Sequence, residues 1–151
     1  MTSGSLTRLF DPHCVAVVGA TDRPGSYGAQ TLLNLRAAGY AGAVYGVHPT
    51  RTEVLGFPCV ASVSDLPDSV DAVVVATPAA TVDAVLDAAG EHGCGGAVVF
   101  AAGFAELGGH DEQRKIAEIA QRHDLPVVGP NANGIVNVAA AETMPFESVT
   151  V

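Results

Sequence analysis

The stretch Val15-Ala16-Val17-Val18-Gly19-Ala20-Thr21-Asp22-Arg23-Pro24-Gly25-Ser26-Tyr27-Gly28 constrains the fold more than any other part of this chain. Four apolar residues run into a glycine turn, a polar loop follows, and an apolar-periodic segment begins at Ala29. A strand with no polar alternation belongs in the middle of a sheet covered on both faces. The loop after it aims backbone N–H groups and the positive end of a helix macrodipole into one concavity, which suits a phosphate or pyrophosphate without a dedicated lysine. Doubly wound folds need a turn here for structural reasons too, so the loop by itself leaves a purely structural role open.

The rest of the chain repeats this unit. A helix from about Ser26 to Ala38 places Ala29, Leu32, Leu33 and Arg36 on neighbouring turns and stops at Gly39. The second strand, Ala43 to Val47, runs into His48-Pro49-Thr50-Arg51, where proline ends the ladder. From Glu53 to Asp71 the chain reads as irregular, with a short extended piece at Pro58-Cys59-Val60. The third strand is Ala72 to Ala76; Thr77 then reads as an N-cap with Pro78 at the first helical position, and Val82, Val85, Leu86 and Ala89 form the inward stripe. The fourth strand, Ala97 to Phe100, leads to the loop Ala101 to Glu106, and a helix from about Asp111 to Arg122 turns Ile116, Ile119 and Ala120 inward. His123 at its end suits the negative pole of the helix if protonated. The fifth strand is Pro126 to Val128, followed by the loop Gly129 to Gly134. This alternation predicts an α/β fold: a Rossmann-like doubly wound parallel sheet of about five strands in the order 3-2-1-4-5, with helices on both faces. In that order the switch point lies between the first and fourth strands, and the loops after all five line one edge.

With 151 residues, a single domain over 1–151 accounts for the chain. Leu6 to His13 is an N-terminal arm in which Leu6, Leu9 and Phe10 cap an edge of the core, and 138–151 is a weakly patterned tail. The net charge of -9 speaks against nucleic acid or an anionic membrane as partner. Three widely spaced cysteines, Cys14, Cys59 and Cys94, read as buried small hydrophobes in a reducing compartment, and no secretory signal or membrane-length apolar run is present, which together give a cytoplasmic expectation. A monomer and a homo-oligomer both remain open.

A nicotinamide dinucleotide is the first ligand class to test against the loop. Thr21 stands where the Rossmann fingerprint has its second glycine, the spacing to Gly25 and Gly28 is too long, and no acid follows the second strand to bind a ribose hydroxyl. Arg51 stands there instead, either simply exposed or suited to a phosphate on the ribose; an NAD(P)-binding oxidoreductase or redox-sensor domain therefore stays as the alternative. The five histidines, His13, His48, His92, His110 and His123, lack the spacing of a helical metal pair, and no nucleophilic triad or carboxylate pair is legible. His48 alone falls on the binding edge, as a base, a phosphorylated residue, a ring contact or an exposed side chain.

Six segments, in order, resemble the CoA-binding domain of the NDP-forming acyl-CoA synthetases, related to the α subunit of succinyl-CoA synthetase: Ser5-Leu6 to Phe10-Asp11-Pro12, Val17 to Ser26, Val47 to Arg51, Ala76 to Ala79, Ala102 to Glu106, and Gly129-Pro130-Asn131. The resemblance implies coenzyme A, or an acyl-CoA, as ligand. Gly19, Thr21, Arg23, Gly25 and Ser26 match the family's phosphate loop, and Pro49 and Arg51 its ribose-phosphate side. By the same resemblance Thr77 and Pro78 wall the nucleotide, while Gly103, Phe104 and Asn131 border the pantetheine arm. Thr77-Pro78 also serves as a helix cap, and Gly103-Phe104 also as loop packing. The family usually carries cysteine after Gly-Pro-Asn, where this chain has Ala132. Its phosphorylated histidine and nucleotide-grasp module lie in later domains, so the resemblance implies a binding module that does not ligate alone and works with a ligase domain or subunit carrying the phosphohistidine.

Overall fold

The computed structural model describes residues 3–100, 110–130, 132, 136–137 and 142–143. Its elements are α1 (Ser3–Phe10), β1 (Cys14–Val18), α2 (Tyr27–Ala37), β2 (Ala43–Val47), β3 (Glu53–Val54), β4 (Phe57–Val60), a 3-10 turn at Val63–Asp65, β5 (Ala72–Val75), α3 (Ala79–His92), β6 (Ala97–Val99), α4 (His110–His123), β7 (Val127–Val128), β8 (Val136–Asn137) and β9 (Glu142–Thr143). A seven-stranded sheet has the order β3-β4-β2-β1-β5-β6-β7, and all of its neighbours pair in parallel except β3 with β4. β8 and β9 form a separate antiparallel pair.

The doubly wound α/β class stands, but the strand order is corrected. The strand beginning at Ala72 was expected beyond β2; it pairs instead with β1, Val15 opposite Ala72 through Val18 opposite Val75. β5 is fully buried along its length, and a strand with no solvent-tolerant face belongs at the centre. The place beside β2 is taken by β4, whose residues are half-buried or exposed as suits a flank. Gly56 and Pro58 hide this strand in the sequence. Pro58 has no N–H to give, but the ladder to β2 starts after it, at Cys59 opposite Gly46. Counting β4 as the third parallel strand gives the order 3-2-1-4-5-6, with the switch point between β1 and β5.

Alternation along the central strands supplies two cores. Ala16, Val18, Val73, Val75, Ala97 and Val99 pack under Val82, Leu86 and Ala89 of α3 and Ile116 and Ile119 of α4. Val15, Val17, Val74 and Val98 face the other way, under Leu32 and Leu35 of α2 and Leu9 of α1. On α2 the inward residue is therefore Leu35, while Leu33 is exposed and Arg36 lies over the Phe57 ring, 4.8 Å from its centroid, and donates to the Leu55 carbonyl. The N-terminal arm is helical; Leu9 caps the core as expected, whereas Leu6 and Phe10 stay exposed. His123 finds a side-chain partner rather than only a helix pole: its Nε2 lies 2.6 Å from Oδ1 of Asp87 on α3. That contact, with Arg122 beside it, holds the Asp87 carboxyl below the usual range.

All three cysteines are free, Cys14 and Cys94 buried and Cys59 half-buried. Burial pushes the Cys94 thiol up to about 11 and raises the other two by the same cause. A thiol reagent at pH 8 should therefore label Cys59 first and Cys94 only on unfolding, because the thiolate is the reacting form. Equal labelling rates in the folded protein, followed by mass spectrometry of the peptides, would contradict this arrangement. Among the described residues no helix is long and apolar enough to cross a membrane.

Candidate functional site

The carboxyl ends of β1, β2 and β5 meet around one cleft of about 470 Å³. β1 hands over at Gly19, whose N–H donates to the Val47 carbonyl at 3.2 Å and whose φ of +88° suits glycine. A Cβ at this position would lie 2.7 Å from the Ala76 carbonyl oxygen, so the loops after β1 and β5 touch. A Cβ on Gly28 would lie 2.2 Å from the Gly19 carbonyl oxygen, which shows how closely the first turn of α2 presses on the start of the loop.

Between these glycines the loop is held by its own side chains. Thr21 Oγ1 accepts from the Arg23 N–H at 3.2 Å, and Ser26 Oγ donates to the Arg23 carbonyl at 2.7 Å. Ser26 is the N-cap of α2, its Oγ accepting from the Ala29 N–H at 3.3 Å. The result is a helix N-terminus facing a walled concavity, the arrangement that receives anionic oxygen.

Of the residues expected at the site, Gly19, Thr21, Arg23, Gly25, Ser26, Thr77 and Pro78 line this cleft together. Thr77 is not the N-cap of α3: that place falls to Pro78, without a side-chain bond, and Thr77 Oγ1 is buried with no hydrogen-bond partner among the described residues. A proline at the boundary ends the extended segment itself, so the cap residue shifts by one. An unpaired hydroxyl in the wall of a cleft has bonding capacity to spare.

Pro49 and Arg51 do not line the cleft itself. They sit on the exposed turn after β2, and the Arg51 Nη2 donates to Asp22 Oδ2 at 2.8 Å, across to the β1 loop. Both side chains are substantially exposed, at 41% and 54%, so the bridge adds little stability but sets where the guanidinium rests. The hydrogen bond from Arg51 holds the Asp22 carboxyl below its ordinary range. Gly103, Phe104 and Asn131 lie outside the described residues.

The structure adds Ala20, Tyr27, Gly28 and Ala76 to the lining, and it places His48 there too, on the edge where the sequence put it. The Tyr27 ring stacks on Phe100 at the end of β6, centroids 5.5 Å apart and planes within 7°, which anchors the start of α2. Its position directly after the N-cap serine was the available signal. A larger cavity of about 620 Å³ lies elsewhere, between α1, α4 and β7, and is lined mainly by apolar side chains such as Leu6, Phe10 and Ile116. Among the described residues, none of those expected at the site borders it.

The profile of the family described as "CoA binding domain" matches residues 13–138. The chain belongs to the CoA-binding domain family. This CoA-binding domain is 39% identical over 146 residues to acetate–CoA ligase (ADP-forming) I of Archaeoglobus fulgidus, a match that covers 95% of the chain and 21% of that relative. It is 35% identical over 148 residues to the subunit alpha of acetate–CoA ligase (ADP-forming) I of Pyrococcus furiosus, covering 94% of the chain and 32% of the relative. Among solved structures, the dinucleotide-forming acetyl-coenzyme A synthetase 1 of Ca. Korarchaeum cryptofilum, in complex with phosphate and ADP, superposes with a TM-score of 0.88 at 38% identity, over 93% of the chain and 30% of that chain. The CoA-binding domain thus spans between a fifth and a third of the length of these relatives.

Proposed function

We propose that the domain binds coenzyme A in the cleft after β1 and serves as the CoA-holding part of an NDP-forming acyl-CoA ligase or of a stand-alone relative. The observation that carries this reading is the Ser26-capped start of α2 facing a cleft edged by the Arg51 turn, in a chain of the CoA-binding domain family. Gly19, Thr21, Arg23, Gly25 and Ser26 would hold the pyrophosphate on backbone N–H groups and the helix pole. Arg51, beside Pro49, would take the phosphate on the ribose with the guanidinium donors that Asp22 leaves open. Thr77 and Pro78 wall the nucleotide, and Gly103, Phe104 and Asn131 border the pantetheine arm. The acid–thiol ligation of the relatives would then fall to a partner domain or subunit carrying a phosphohistidine, to which this domain presents the thiol.

A thermal-shift panel with CoA, dephospho-CoA, NADH and NADPH tests the reading. A ligand at a hundred times its Kd stabilises by about 2.7 kcal/mol, or roughly 5–11 °C for a domain of this size. CoA should give that rise and NADPH none; stabilisation by NADPH without CoA would favour the oxidoreductase alternative. Arg51→Ala should weaken CoA by roughly tenfold, the value of one charge-assisted hydrogen bond, and leave dephospho-CoA within about twofold of the native protein. An unchanged ratio of the two affinities, measured by calorimetry, would remove Arg51 from the site.

A further inference from the structure

His48 follows the last residue of β2, and its backbone N–H donates to the Val60 carbonyl at 3.0 Å, so the sheet ladder fixes where the ring starts. The ring nitrogen Nδ1 accepts two backbone N–H groups of the turn that follows, from Thr50 at 3.2 Å and from Arg51 at 3.1 Å. A nitrogen that accepts carries no hydrogen, so in the neutral ring the hydrogen sits on Nε2. The half-buried His48 lines the cleft with Thr21, Arg23 and Thr77, and among the described residues no hydrogen bond engages Nε2. The charged groups around it are Arg23, which shares the cleft lining, Arg51, whose backbone N–H the ring accepts, and Asp22, whose carboxyl feels the ring.

We propose that His48 is a ligand-contacting residue of the cleft: Nε2–H donates to a phosphate oxygen of the bound nucleotide while Nδ1 fixes the turn that carries Arg51. One ring then joins two tasks, shaping the turn and meeting the ligand. The same tautomer leaves no lone pair on Nε2, so this nitrogen is neither a base nor a phosphoryl acceptor, and moving the hydrogen to Nδ1 would forfeit both turn bonds. The assignment rests on the CoA reading of the cleft.

Long-range 1H–15N spectra of the imidazoles at pH 7.5, with the His48 signals assigned by loss in His48→Asn, provide the test. The free protein should show the Nε2–H tautomer, and saturating CoA should shift the Nε2 resonance while leaving Nδ1 in place. His48→Asn keeps an acceptor where Nδ1 sits, through its Oδ1, but loses the Nε2 donor. Its melting temperature should stay within about 2 °C of the native value while CoA affinity falls roughly fivefold to tenfold, as one lost hydrogen bond requires. Native CoA affinity in this variant, or an unmoved Nε2 resonance with CoA bound, overturns the assignment and leaves His48 as a turn residue alone. Should the variant fail to fold, the His48 imidazole signals are assigned instead by through-bond correlation from its own backbone amide, and the spectra of the native protein then decide. A native protein that takes up no CoA in the same titration overturns the CoA reading and this assignment with it.

Discussion

Replacing Gly28 with alanine should lower the melting temperature by roughly 6–12 °C, the equivalent of about 3 kcal/mol for a chain of this length. Helix propensity alone points the other way, since alanine gains about 1 kcal/mol over glycine inside a helix. Packing reverses the sign. The new Cβ would stand 2.2 Å from the Gly19 carbonyl oxygen and 3.1 Å from its carbon, and a backbone group cannot swing aside as a flexible side chain does. α2 must lift from the β1 loop or the loop must give up its contact with Ala76, and either movement spoils the anion-receiving geometry. Gly25→Ala is the matched control: its Cβ meets nothing within 4 Å, and only its φ of +76° is strained, at about 1 kcal/mol. A Gly28→Ala protein with native melting temperature would show that α2 does not sit against Gly19.

The second large effect belongs to Asp71→Ala, with an expected loss of about 2–4 kcal/mol in urea unfolding. Asp71 precedes β5 and its side chain is 14% exposed. Oδ1 accepts from Arg8 Nε at 2.7 Å, and Oδ2 accepts the N–H groups of His13 at 2.9 Å and Cys14 at 3.3 Å. One carboxylate therefore ties α1 and the start of β1 to the start of β5. Its removal strands two backbone donors and one side of a guanidinium, and bonds to charged groups carry more than neutral ones. Arg8→Ala should cost less, because Asp71 keeps its backbone donors while only the bonds from Arg8, including one to the Val70 carbonyl at 2.8 Å, are lost. Equal stability of Asp71→Ala and the native protein would contradict this picture.

What the chain discloses before folding is local and periodic. Val15 to Val18, the Ser26 cap and the stripe through Val82, Leu86 and Ala89 are legible because each depends on neighbours a few residues apart. β3 is not, and of β4 only the extended piece at Pro58 to Val60 shows, without its place in the sheet, since Leu55-Gly56 and Pro58 carry turn chemistry inside a hairpin, and Leu55 takes a φ of +51° that its residue type does not advertise. Leaving that piece out of the sheet misplaces the strand at Ala72, and only pairing across the sheet corrects that. In the cleft, the glycines and Ser26 announce themselves, whereas the Asp22–Arg51 bridge joins positions 29 residues apart and the cap formed by the His48 ring is a matter of side-chain direction. Thr77 was given a capping role by its place before proline, and the helix begins one residue later instead.

The central claim is that CoA sits in the cleft after β1, and a 1H–15N amide titration of the whole chain with CoA tests it most directly. CoA bound there should give saturable, single-site shifts concentrated on the N–H groups of Gly19 to Gly28, with a second set at Thr50, Arg51 and Thr77. No saturable shift, or shifts gathered instead on Leu6, Phe10 and the Leu125 to Gly129 edge around the larger apolar cavity, would contradict it.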